Sequence, residues 1–242
     1  MGDATQQLRR LLPRVARELG RCVGLSSLRR LARRLGYRWK RLRRSLKACR
    51  DAVLFAFFQQ ELALLHQAEA RGEGAVVYAD ECRFSLQAPV PYAWQRRGQP
   101  PVALPAERGA GGYSVLGLWQ AKAPGQPLLA YVLNGALTAD LFAAILDEFS
   151  RHLAQPTVLV LDNASVHRAA CVQARQAEWA ARGLRLQFLP PYCPELNKIE
   201  LLWHRCKPYW LTPADYESEA TLGRSLTDLL QKGSKEYMIT FD

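Results

Sequence analysis

Two short apolar runs in this chain each end in an aspartate. "VVYAD" delivers Asp80 and "VLVLD" delivers Asp162. In a sheet flanked by helices, residues just past a strand's carboxyl end form the rim where ligands bind. Taken alone, each aspartate could equally be a turn former or a helix N-cap. Side by side they call for a cation, because neighbouring carboxylates otherwise repel. A third acid is available in "LPPYCPELNKIELLWHR", residues 189–205, which holds Glu195 and Glu200. Leu196, Ile199 and Trp203 recur there at helical spacing, and Glu200 borders that stripe. If one helix opens at Pro194–Glu195, the two glutamates lie roughly 140° apart around it. Glu200 then faces the sheet, and Glu195 complements the helix dipole at the N-terminus. Glu81, next to Asp80, points to the opposite sheet face.

Those acids need elements to hold them. "AVVYADECRFSLQ" reads as a strand running into a second, and "YSVLGLWQ" and "LLAYVLN" as further strands. A helix follows at about 138–153, then a strand at 157–162, a helix near 165–181 and the strand "LRLQFLP". Consecutive strands followed by helix–strand alternation predict an α/β mixed sheet with helices on its faces. Trp203 and Tyr192 are assigned to the core. "APVPYAWQRRGQPPVALP" is proline-rich and turn-forming; Trp94 and Gly98 there fit a hairpin, or simple packing and turning. "RGAGG", 108–112, lacks the Lys-Ser/Thr of a phosphate loop and reads as a turn.

Upstream the pattern is helical. Residues 5–19 place Leu8, Leu11, Leu12, Val15 and Leu19 on one face, with Pro13 as a start or kink and Gly20 as C-cap. Residues 26–35, behind a serine N-cap, turn Leu28, Leu31 and Leu35 inward and their arginines outward. Helix, short turn and basic helix together describe a helix-turn-helix. "RWKRLRRSLK" continues as a basic arm anchored by Trp39, a long helix spans 47–70, and "RGEG", 71–74, is a turn and boundary. The expected organisation is residues 1–46 as helix-turn-helix and arm, 47–74 as linker helix, and 75–242 as the catalytic domain.

Charge distribution points to the partner. Residues 1–50 carry sixteen Lys or Arg against Asp3 and Glu18, whereas the remainder is slightly acidic, so the whole net charge of +11 arises in the first fifth. Such crowding of cations calls for a polyanion, and nucleic acid is the expected one. The candidate contacts are Arg29, Arg30, Arg33, Arg34, Arg38, Lys40, Arg41, Arg43 and Arg44. The longest apolar run, residues 52–58, is far short of the roughly 18 a membrane span needs, and no secretory signal is visible. Six scattered cysteines without a C-x-x-C pair predict neither zinc nor disulfides, and a reducing cytoplasm.

"YADECRF", "YAWQRRGQPP", "VLVLDNASVH" and "LPPYCPELNKIELLWHRCK" occur in this order, and the set resembles the DDE transposases of the mariner superfamily, especially their bacterial insertion-sequence branch. The resemblance covers roughly residues 75–242 well and the N-terminal part more loosely. It implies a ribonuclease H-like fold with Asp80, Asp162 and Glu200 as catalytic acids and metal ligands. The 37 residues between Asp162 and Glu200 fall within the family range, and Lys198 stands where many relatives carry proline. Asn163 and His167 belong to the same motif and could cap or orient the helix that follows. Relatives commonly carry a second helix-turn-helix, for which this chain has no room, so it resembles a truncated or split copy.

Hard oxygen donors favour Mg²⁺ or Mn²⁺. Two such ions roughly 3.5–4 Å apart activate a water or 3′-hydroxyl and stabilise the leaving oxygen. Asp80 would bridge them, with Asp162 and Glu200 each holding one. The implied activity is cut-and-paste transposition: cleavage at inverted repeats and strand transfer into TA-containing target DNA. A homodimer on double-stranded DNA, no membrane, and the bacterial cytoplasm and nucleoid complete the expectation. Two alternatives stay open, a DNA-binding remnant without transposition and a nuclease of the same fold without strand transfer.

Overall fold

A computed structural model of the chain describes residues 8–37, 49–86 and 111–236. The chain divides into two compact units, residues 1–45 and 46–242.

In the first unit, a 3-10 turn at Leu8–Leu11 leads into α1 (Leu12–Leu19). Pro13 sits in the first turn of α1, where its missing N–H costs nothing, so it starts the helix rather than kinking it. Gly20 closes α1 in the left-handed conformation, as the sequence predicts. α2 (Leu25–Arg34) starts one residue earlier than expected, with Gly24 and not a serine at the N-cap. Leu28 is buried, but Leu31 and Leu35 are 49% and 65% exposed. Two short helices enclose only one leucine of the expected three.

The second unit is built on a five-stranded sheet: β1 (Ala75–Ser85), β2 (Gly112–Trp119), β3 (Leu128–Asn134), β4 (Thr157–Leu161) and β5 (Leu184–Phe188). The spatial order is β3-β2-β1-β4-β5. The first three pair antiparallel, and β4 and β5 join parallel to β1. The expected break inside "AVVYADECRFSLQ" is absent, since β1 is one continuous eleven-residue strand. Its length follows from its neighbour: β2 stays paired from Tyr78 to Ser85 after β4 has ended.

Side chains alternate between two cores. Val76, Tyr78, Cys82 and Phe84 face α3 (Ala52–Ala70), α6 (Ile199–Arg205) and α7 (Glu219–Glu236). Val77 and Ala79 face α4 (Ala139–Arg151) and α5 (Ala170–Ala181). α3 opens at Asp51, whose carboxylate accepts from Val53 N and Leu54 N at 2.8 and 3.0 Å. Its far end is pinned by a buried polar chain. The Tyr78 hydroxyl lies 2.7 Å from His66 Nε2, His66 Nδ1 donates to Glu69, and Glu69 accepts from Gln120 Nε2 and Val76 N. Burial opposes ionisation of Glu69, yet those donors together hold its carboxyl below the usual range. Among the described residues, no helix is long and apolar enough to cross a membrane, and all six cysteines are free thiols.

Candidate active site

Asp80 lies in the middle of β1, not at its tip as the sequence reading has it. It is nevertheless at the end of the parallel ladder. Tyr78 pairs with Val160, so two residues further on Asp80 stands level with Asp162, the first residue beyond β4. Alternation then turns both carboxylates to the face covered by α6. β1 continues past this point because β2 still pairs with it, and that fixes the Asp80 backbone from one side while leaving the other open.

The third acid arrives on α6. The helix expected to open at Pro194–Glu195 is instead a 3-10 turn, Pro194–Leu196, and α6 proper begins at Ile199. Glu195 therefore lies outside α6, 3.6 Å from Arg50, while Glu200 occupies the first turn of α6. Asn197 ties the intervening loop down, donating from Nδ2 to the Ala79 carbonyl at 3.1 Å, one residue from Asp80. Lys198 has φ −63°, a conformation proline also adopts. Burial first, then the neighbouring Lys122, lowers its amine to about 8.

α6 comes this close because β2 has a glycine opposite Asp80. A Cβ on Gly117 would lie 2.7 and 2.8 Å from the Trp203 ring and 2.9 Å from Ile199 Cδ1. Trp203 is buried as expected and meets Phe84 edge-on. Tyr192, also assigned to the core, is 51% exposed, on a turn with φ +61°.

Electrostatics report the convergence. Burial, then Glu200, then Asp162 push the Asp80 carboxyl up to about 7. Asp162 is shifted the other way, chiefly by a hydrogen bond from His167 Nδ1 at 2.8 Å. Asp162 Oδ1 also accepts from Ala164 N at 3.0 Å. Its turn-capping role and its place at the rim are thus compatible. His167 is buried against the Phe142 ring at 4.6 Å and acts on Asp162 rather than facing the rim itself. It lies in a turn, since α5 starts only at Ala170. Among the described residues, no three Asp, Glu, His or Cys side chains close on one point at coordinating distance. The three acids share one rim but stand apart.

The remaining sequence candidates separate. Glu81 is exposed on the opposite face, as alternation predicts. Asn163 uses both ends of its amide away from the acids: Nδ2 donates to the Leu189 carbonyl, and Oδ1 accepts from Arg168. Arg29, Arg30, Arg33 and Arg34 are exposed on α2 in the other unit. Arg38, Lys40, Arg41, Arg43 and Arg44, with Trp39, Trp94 and Gly98, lie outside the described residues. Sequence reasoning missed Gly117, Asn197 and Lys207. A glycine inside an apolar strand, as in "YSVLGLWQ", marks close approach and was the available signal for the first. Lys207, seven residues after Glu200, places its ammonium 5.4 Å from the Phe84 ring centroid and bonds the Cys82 thiol.

A family model of the DDE superfamily endonucleases matches residues 75–222, a span that contains all three acids. No curated protein sequence matches the chain. Among solved structures, the Mos1 Strand Transfer Complex aligns at 14% identity and TM-score 0.53, covering 100% of this chain and 82% of that one. The Mos1 transposase paired-end complex with left transposon end aligns at 15% and 0.54, covering 99% and 82%. The mariner Mos1 paired end complex with Mg aligns at 16% and 0.54, covering 100% and 82%. At these identities the likeness is one of fold, and the mixed sheet with flanking helices is the ribonuclease H-like fold of the DDE enzymes. The match over more than half of its length makes this chain a member of the DDE superfamily of endonucleases.

Proposed function

We propose that the protein is a transposase of the mariner type, cleaving DNA at the ends of an element and joining the freed 3′ ends to target DNA. The observation that carries the reading is that Asp80, Asp162 and Glu200 share one rim, where burial first, then Glu200 and Asp162, raises Asp80 to about 7. These are hard oxygen donors whose mutual repulsion a divalent cation would offset, so the residues fit Mg²⁺ or Mn²⁺. Asp80, on which both of the others act, would bridge, and Asp162 and Glu200 would each hold one ion. When bound, such a pair lowers the pKa of an attacking water and stabilises the leaving oxygen of an in-line displacement.

The chain's own groups supply the placement. β1 and the end of β4 fix the two aspartates, His167 orients Asp162, and Asn197 with Gly117 sets the depth of α6 and hence of Glu200. The basic first unit, with Arg29, Arg30, Arg33 and Arg34 exposed on α2, would bind duplex DNA as a helix-turn-helix. The fold relatives include a strand transfer complex and paired-end complexes with a transposon end and with Mg, which favours a dimer that pairs two ends. Cut-and-paste movement into TA-containing targets belongs to the same reading.

Nicking of supercoiled plasmid tests it. Cleavage is expected with Mg²⁺ or Mn²⁺ and not in EDTA. Glu200→Gln should abolish it while duplex binding survives, because a neutral amide coordinates a hard cation poorly. Cleavage in EDTA, or an active Glu200→Gln, removes the mechanism. Cleavage without joining of 3′ ends would leave a nuclease.

A further inference from the structure

Arg168 is the exposed residue that follows His167, and its guanidinium is held in place. Nε donates to Asn163 Oδ1 at 2.7 Å, Nη2 donates to the same oxygen, and the guanidinium carbon lies 4.5 Å over the Phe188 ring. Both holders are neutral. Arg71, Arg151, Arg175 and Arg182 are each partnered by a carboxylate, whereas Arg168 has none among the described residues. Its charge is therefore fixed in space and left uncompensated.

The location gives that charge a use. Asn163 follows Asp162 directly, and Phe188 ends β5, the strand beside β4. Phe188 packs on the α4–α5 side of the sheet, so the cation stands at the β5 end of the same sheet edge as the acids, across it from the face covered by α6. A DNA strand brought to those acids meets carboxylate repulsion along its phosphates, and a cation beside the path reduces it. Holding the side chain beforehand removes the ordering cost that a free arginine would add on binding. The Nη1 group and the second Nη2 hydrogen remain for a ligand, and the planar fork matches phosphate oxygens.

We propose that Arg168, braced by Asn163 and Phe188, binds a backbone phosphate of the DNA strand entering the active site. The assignment rests on the endonuclease reading and adds a contact that lies outside the basic N-terminal unit. It also explains why Asn163 turns away from the acids: its amide braces the arginine and ties it to the exit of β5.

The test compares Arg168→Lys and Arg168→Gln with the parent full chain in plasmid nicking with Mn²⁺, measuring KM and kcat separately over a series of NaCl concentrations. Arg168→Gln should raise KM about tenfold with kcat within about twofold. The slope of log KM against log salt should fall by about one, the signature of one lost phosphate contact. Arg168→Lys, which keeps the charge and loses the fork, should retain most of the parent's salt slope. Melting temperatures of the three proteins should agree. Unchanged KM and slope in Arg168→Gln would overturn the proposal. So would equal losses in both variants with lowered melting temperatures, which would make Arg168 a brace for the loop. A parent protein that cleaves nothing would instead remove the endonuclease reading, and this assignment with it.

Discussion

Asp80 is the residue on which the site's electrostatics converge, and its titration makes a prediction for the metal-free protein. A carboxyl raised from 3.8 to about 7 binds more protons folded than unfolded across that window. The fold therefore loses stability as pH rises through it, by about 4 kcal/mol at most. Asp80→Asn should melt higher than the parent at pH 8 in EDTA and alike near pH 4. Millimolar Mg²⁺ should stabilise the parent and leave the variant unmoved. An equal melting difference at both pH values would show that burial and the neighbouring acids do not hold Asp80 above its usual range. Glu195 provides the control. It pairs at the surface with Arg50, so Glu195→Gln should keep plasmid nicking and cost no more than about 1 kcal/mol in a denaturant melt. A dead Glu195→Gln beside an active Glu200→Gln would transfer the third acid to the 3-10 turn.

At the level of elements, the distance between α6 and the sheet is set by one absent methyl group. Gly117→Ala would drive a Cβ into Trp203 and Ile199, and overpacking of this kind costs about 1–3 kcal/mol. Because α6 carries Glu200, the same displacement should reduce nicking well beyond what the loss of folded protein explains. Replacing Trp203 by Phe in the Gly117→Ala background removes the two ring atoms that clash first but leaves Ile199 Cδ1 at 2.9 Å, and should restore part of both melting temperature and nicking. A Gly117→Ala protein as stable and active as the parent would mean that α6 is not seated there. α6 is short, seven residues, and is anchored by this seat and by Asn197 rather than by its own helical stability.

For the whole molecule, the segregation of charge separates binding from cleavage. The cationic excess lies in residues 1–50, and the compact second unit begins at residue 46. Deleting residues 1–45 should abolish most duplex affinity and flatten its salt dependence, measured by fluorescence anisotropy over a salt series. Undiminished affinity with the same slope would place the main DNA surface on the sheet unit. The cut has to fall before α3. Leu62 and His66 are buried against the sheet, and Glu69 holds Gln120, so removal as far as Gly74 would strip one face of the core. α3 is part of the sheet's own support as well as the route to the first unit.

Local patterns made the main features legible. Apolar runs ending in Asp80 and Asp162 marked two strands. Ile199 and Trp203 marked a helix with Glu200 in its first turn, and the cation count marked a strongly basic end. Each depends only on residues near one another in sequence. Features that depend on which strand lies beside which were out of reach. Asp80 is mid-strand because β2 outlasts β4 as its partner, and Leu31 and Leu35 are exposed because nothing among the described residues covers them. The 3-10 turn at Pro194–Leu196, which separates Glu195 from Glu200, is stabilised by Asn197 reaching the Ala79 carbonyl, 118 positions away. Gly117 reads as a weak point in a strand until Trp203 is seen lying over it. Residue type specified which groups could serve as acids, cations and anchors. Strand pairing and helix packing, which join distant segments at fixed separations, decided which of them share the site.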